Sequence, residues 1–104
     1  MKPIQPRAAA DADIDRVFEH YRLQGGHALA ERFVDAYDAA LAHIAQYPGT
    51  GSPRHARALH IQNLRFWPLT RFPFSVFYVE RADRIDVLRV LHQASDIPHH
   101  LQSK

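Results

Sequence analysis

The sequence predicts an α+β fold in which a short N-terminal strand and an antiparallel helix hairpin precede a three-stranded antiparallel meander, with the helices on one face of the sheet. Three observations carry this reading. Apolar residues recur at helical spacing over residues 8–47, they alternate with period two from Leu64 to His92, and Gly/Pro clusters separate the runs. Helices and sheet, each apolar on one side, bury those sides against each other. The 104 residues suit one domain, 1–104, with the helix hairpin at about 8–47, the sheet at about 58–93 and a tail at 94–104.

Each element has its own local cause. Lys2 to Pro6 alternates weakly and suits a short edge strand, where proline is tolerated because its missing N–H breaks no ladder bond. Ile14, Val17, Phe18 and Tyr21 then fall on one helical face, with Asp11, Asp13 and Asp15 in the early turns, where carboxylates complement the helix dipole. Gly25-Gly26 stops that helix, glycine being the residue that takes the left-handed C-terminal conformation. Leu29, Phe33, Tyr37, Leu41 and Ile44 stripe a second helix, with small Ala36 and Ala40 beside them to allow close approach of a neighbour. Pro48-Gly49-Thr50-Gly51-Ser52-Pro53 ends it.

Beyond a basic loop holding Arg54, His55 and Arg57, alternation takes over. Leu64 and Phe66 oppose Arg65 and Trp67; Phe74, Val76 and Tyr78 oppose Ser75, Phe77 and Val79; Ile85, Val87, Arg89 and Leu91 oppose Leu88, Val90 and His92. The linkers 70–73 and 81–84 are short enough for hairpins.

Composition excludes several classes. The chain has no cysteine, so disulfides, thiolate metal sites and thiol catalysis are absent. No apolar run is long enough for a signal peptide or a membrane span, which points to a cytoplasmic protein with no membrane partner. The eight histidines include no i, i+4 pair and no His-Glu-x-x-His run, so no metal and no cofactor are expected. Residues 1–52 hold five Lys/Arg against seven Asp/Glu and residues 53–104 hold eight against four, placing the halves at −2 and +4. The basic residues are nearly all arginine, which favours bidentate contact with carboxylate or phosphate.

Two features bear on function. His92, at the end of the last strand before a polar turn, is the best candidate for a general base; the competing reading is a strand-end histidine bonded to the following turn, through Asp96. Arg89 falls on the opposite face from His92 unless a bulge intervenes, which argues against a two-residue active site. Phe66, Trp67, Phe72, Phe74, Phe77 and Tyr78 point to both faces of the sheet, and two helices cover only one. The second face is therefore expected to leave an exposed apolar patch for a partner. The competing reading closes it with loops, the first strand and the C-terminal tail.

An ordered set of short features runs through nearly the whole chain: Ala10-Asp11-Ala12-Asp13-Ile14, the stripe Ala30, Phe33, Leu41 and Ile44, the break Tyr47-Pro48-Gly49-Thr50-Gly51, then Leu64-Arg65, the aromatic strand 72–79, and Val87 to Asp96. Together they resemble the ParE branch of the RelE/ParE toxin superfamily. The resemblance implies the toxin of a type II toxin–antitoxin pair, neutralised by a ParD-like ribbon-helix-helix antitoxin and poisoning DNA gyrase without catalysis. It implies no direct sequence-specific binding to nucleic acid. On this reading the antitoxin meets Arg65, Trp67, Phe74, Phe77, Arg71 and Arg89, and the target meets His92, Asp96 and Arg89. RelE-like relatives cleave messenger RNA on the same fold, so the alternatives are a ribosome-dependent endoribonuclease, with His92 and Arg65 as its weak catalytic candidates, and a non-toxic antitoxin-binding module. The sequence departs from a nuclease: no lysine lies in the sheet region, Phe74 stands where relatives often carry arginine, and Gln93, not tyrosine, follows His92. It also departs at Ala94-Ser95, where relatives often carry an arginine before the aspartate.

Overall fold

The computed structural model describes residues 1–95 and 97–102. Strand β1 (Ile4–Pro6) leads into α1 (Ala8–Gly25) and α2 (His27–Gln46). A 3₁₀ turn (Pro48–Thr50) and α3 (Ala56–Leu59) precede β2 (Leu64–Pro68), β3 (Phe74–Glu80) and β4 (Ile85–His92), and α4 (Ile97–Gln102) ends the described chain. The sheet order is β1-β4-β3-β2. The meander β2-β3-β4 is antiparallel as expected, while β1 pairs parallel to β4, so the sheet is mixed.

Gly26 separates the helices with φ 88° and ψ 176°, a backbone that glycine alone adopts readily, and its N–H bonds the Arg22 carbonyl. It is thus a positive-φ stop with extended ψ in place of the left-handed helical one. The buried residues of α1 are Ala10, Asp13 and Val17, and those of α2 are Ala30, Phe33, Tyr37, Ala40 and Ile44. Asp13 therefore lies inside the apolar stripe, only 1% exposed, where the sequence suggested a carboxylate placed to complement the helix dipole.

The expected alternation breaks in β4. Phe77 pairs with Arg89 and Tyr78 with Val87, leaving Leu88 as the extra residue of a bulge. One inserted residue flips everything after it, so Ile85, Val87 and Val90 join the helix-side core while Leu88 and Leu91 join the other. Arg89 and His92 lie on the same side of the bulge, so their three-residue separation still puts them on opposite faces.

Two cores sandwich the sheet. Phe33, Tyr37, Ile44, Phe74, Val76 and Tyr78 fill the helix side. Leu64, Phe77, Val79, Leu88 and Leu91 fill the other, roofed by Leu59 of α3 and by Ile97 and Leu101 of α4. The meander begins at Leu64, six residues after the expected start at about 58, because the preceding segment folds into α3 and a turn. No helix among the described residues is long and apolar enough to cross a membrane.

Candidate protein-binding surface

The broad exposed aromatic patch expected on the second sheet face is not found among the described residues; what opens there is a recess of about 320 Å³ in which Phe66 and Phe77 lie beside Arg54, His55, Gln93 and Ser95. Phe77 is 2% exposed beneath α3 and α4, and Phe74 is 9% exposed in the helix-side core, edge-on to Phe33. The physical reason is that α3 and α4, with Leu59, Ile97 and Leu101 as buried apolar anchors among the described residues, cover most of a face that carries five buried sheet side chains. Among the described residues, the exposed large hydrophobics are Met1, Leu23 and Tyr47, which form no cluster in sequence.

Apolar surface with neighbouring charge is found instead along α2. A groove of about 550 Å³ runs between Leu29, Arg32, Asp35 and Ala36 of the helix and Thr70, Arg71 and Phe72 of the β2–β3 turn. A second recess of about 190 Å³, sharing Ala36 and Thr70, continues past Ala39, Ala40 and His43 to Trp67 and Pro68. From Leu29 to His43 the helix rises about 21 Å. Alanines make the floor, which leaves room for another backbone to lie close to α2. Trp67 stacks on His43 with centroids 4.3 Å apart and planes 16° from parallel, fixing one wall. Phe72 packs edge-on to Phe33 and Tyr21, fixing the other end.

Two arginines stand over this groove. Neither Arg32 nor Arg71 forms an ion pair with a described residue, and both are exposed. Arg71 has φ 71°, a left-handed backbone that a non-glycine side chain takes at a cost. The groove thus offers an apolar trough with free guanidinium groups at one end.

The remaining candidates are dispersed and engaged. Arg65 donates from Nη1 to the Gly51 carbonyl at 2.7 Å, and pairs across the ladder with Tyr78. His92 is exposed at the far end of β4, beside Phe74. Four positions of β3 separate Tyr78 from Phe74, so Arg65 and His92 lie roughly 13 Å apart along the strands alone. They do not converge on one phosphate. His92 Nδ1 accepts the Ala94 N–H at 3.0 Å and its carbonyl accepts the Ser95 N–H, so the ring serves the turn directly. Asp96, expected there as its partner and as a target contact, lies outside the described residues.

Arg89 is turned inward. Its Nε and Nη2 donate to the two carboxylate oxygens of Asp13 at 2.8 Å each, and Nη1 donates to the His100 carbonyl at 3.1 Å. Burial pushes the Asp13 carboxyl up, but the bonds from Arg89 and the Val90 N–H, with the guanidinium charge, outweigh it and hold the group below its ordinary range. Of the residues expected to face an antitoxin, the groove therefore brings together Trp67 and Arg71, while Arg65, Phe74, Phe77 and Arg89 serve the fold. Phe72, expected in the aromatic cluster, also lines the groove, together with Leu29, Arg32, Ala39 and His43, which the sequence did not single out for a partner. Ala36 and Ala40 were the available signal: small residues at one edge of an apolar stripe mark a close approach as well for a partner as for a neighbouring helix.

Comparison with known proteins places this geometry. The family model described as the ParE toxin of type II toxin-antitoxin system, parDE, matches residues 4–97. Toxin ParE1 of Caulobacter vibrioides is 29% identical over 103 residues, covering 97% of this chain and 99% of the relative. A solved chain of the chromosomal ParDE TA system from P. aeruginosa superposes with a TM-score of 0.76 at 24% identity, covering 88% of this chain and 96% of that one, a likeness of fold.

Proposed function

The chain belongs to the ParE toxins of type II toxin–antitoxin systems, and from that premise we propose that a ParD-like ribbon-helix-helix antitoxin neutralises it by lying in the α2 groove, and that it poisons DNA gyrase by binding, without catalysis. The observation that carries the antitoxin reading is the pairing of an apolar trough with Arg32 and Arg71, which outnumber Asp35, the one carboxylate lining it, and form no ion pair among the described residues. An acidic amphipathic segment supplies both halves of the complement. Trp67, stacked on His43, is the central anchor, since rigid aromatic side chains in packed recesses carry most interface energy.

Separation of Arg65 from His92 supports the non-catalytic reading. Transcript cleavage needs a base, an acid and cationic donors around one phosphate, and these two candidates sit on different strands and bond elsewhere. His92, exposed at the end of β4, is the proposed target contact on the sheet's far end. Expression of the chain should induce the DNA-damage response and stall replication while leaving transcripts intact. Cleaved messenger RNA with unperturbed DNA supercoiling overturns the gyrase reading, and a ParD-like protein that ignores substitutions in the groove overturns the antitoxin site.

A further inference from the structure

The register sets Pro68, Phe74 and His92 at one end of the sheet and Arg65, Glu80 and Ile85 at the other. This second end is built differently from the α2 groove. Asp86, its side chain 5% exposed, is shared by three guanidinium groups: Arg84 Nε at 2.8 Å, Arg81 Nε at 3.0 Å and Arg7 Nη2 at 3.2 Å. Beside it Lys2 Nζ donates to Glu80 at 2.8 Å and to the Arg81 carbonyl at 2.7 Å. A recess of about 300 Å³ opens between Lys2, Gly49, Asn63, Arg65, Glu80 and Arg81.

Counting this end gives five cations (Lys2, Arg7, Arg65, Arg81, Arg84) against three carboxylates (Glu80, Asp83, Asp86). The surplus is in guanidinium groups that are oriented by Asp86 yet remain roughly 40% exposed. Each carries five N–H donors; Asp86 has about four acceptor sites to divide among all three, and Asp83 engages Nη1 of Arg84 alone. Donors therefore remain directed outward, already held in place.

We propose that this end of the sheet is a phosphodiester-binding surface that grips a nucleic-acid backbone without reading its bases. Arginine forks match phosphate oxygens bidentately. An acidic protein is the weaker fit, because no apolar side chain lines the recess, and protein interfaces build their affinity on a desolvated apolar or aromatic centre. Interfaces with phosphate backbones are polar and strongly cationic, as here. The surface shares no lining residue with the α2 groove and lies at the opposite end of the sheet from His92, so it stands apart from the antitoxin and gyrase readings.

Fluorescence anisotropy of short labelled duplexes titrated with the full chain tests this. Two unrelated sequences should bind equally, and with three phosphates engaged the affinity should fall about 40-fold between about 50 and 200 mM salt. The double variant Lys2→Gln/Arg81→Gln should weaken binding about tenfold or more, and Glu80→Gln, which removes a carboxylate from the recess without touching the Asp86 cluster, should tighten it. Arg22→Gln, on exposed α1, should stay within about twofold of the parent chain. No saturable binding at the lower salt, or affinities unmoved by both recess variants, overturns the proposal. So does polyglutamate displacing the duplex as well as unlabelled DNA does, which assigns the surface to an acidic protein.

Discussion

Asp13 on α1 and Arg89 on β4, 76 positions apart in sequence, form a two-point ion pair whose carboxylate also accepts the Val90 N–H at 2.9 Å. Strand β1 covers the outer edge of β4 only from Ile85 to Val87, with the Arg7 N–H capping Val87. Asp13 takes the place of the missing ladder partner beyond that point. One side chain therefore ties the helix hairpin, the open strand edge and, through Arg89 and the His100 carbonyl, α4.

Asp13→Ala leaves a guanidinium group and a strand N–H without their partner, and should destabilise the fold by about 3–5 kcal/mol. Arg89→Met should cost less, since Asp13 keeps Arg16 and the Val90 N–H. Urea denaturation at neutral pH measures both. Equal, small losses for the two variants would show that the pair does not hold these elements together.

Acid should unfold the chain through the same kind of group. Asp13 is held below its ordinary range, and Asp86, despite the upward push of burial, is held at about 2 by Arg84, Arg81 and Arg7. A carboxyl with a lowered folded pKa binds more protons when unfolded, so its contribution is complete above the unfolded value, near 3.9, and is lost as pH falls through the folded one. The urea midpoint should decline between about pH 5 and pH 2, and Asp86→Asn should flatten that decline. A midpoint level across this window in the parent chain contradicts the assignment.

How much of this was legible beforehand differs by element. The helices declared themselves because eighteen and twenty residues give several turns of stripe. The roof over the second sheet face did not, since α3 and α4 hold four and six residues, too few to show a period. Aromatic alternation correctly put Phe74 and Phe77 on opposite faces, and left open whether loops and the C-terminal tail cover the second one, as α3 and α4 largely do. The bulge at Leu88 was hidden because Leu88, Val90 and Leu91 suit either face. Asp13 read as a dipole partner because its true partner is distant in sequence, and only the fold brings Arg89 to it.

Tyr37 carries a buried hydroxyl with no hydrogen-bond partner among the described residues, and its pKa is pushed up to about 12 by burial together with the charges of Asp11, Asp38 and Asp13. Removing an unsatisfied polar atom costs nothing in hydrogen bonding, so Tyr37→Phe should leave stability unchanged or raise it by up to about 1 kcal/mol. A thermal-denaturation loss larger than that would reveal a partner for the hydroxyl.

Tyr78 shows the opposite case. Its Oη donates to the Pro48 carbonyl at 2.7 Å and accepts the Gly51 N–H at 3.0 Å, locking the turn after α2 onto β3. A Cβ at Gly51 would run into that oxygen and lie 2.9 Å from the Phe66 carbonyl. Gly51→Ala and Tyr78→Phe should each cost about 1–3 kcal/mol, the first by overpacking and the second by orphaning two backbone groups. Their double variant should cost less than the sum, because the hydroxyl that clashes is gone. Full additivity in chemical denaturation argues against the lock.

The α2 groove can be separated from the fold by choosing positions that face it without supporting the core. Arg71→Gly removes a groove charge and relieves a left-handed backbone at φ 71°, so stability should hold or rise by up to about 1 kcal/mol while antitoxin affinity falls about tenfold. Ala39→Trp places bulk on an exposed floor position and should weaken binding further, by about 2 kcal/mol or more. Calorimetric titration with a ParD-like protein, alongside denaturation of each variant, gives both quantities. Stability and affinity falling in step would mean that the substitutions act through the fold; affinity lost while stability is kept can arise only if the partner touches Arg71 and the alanine floor.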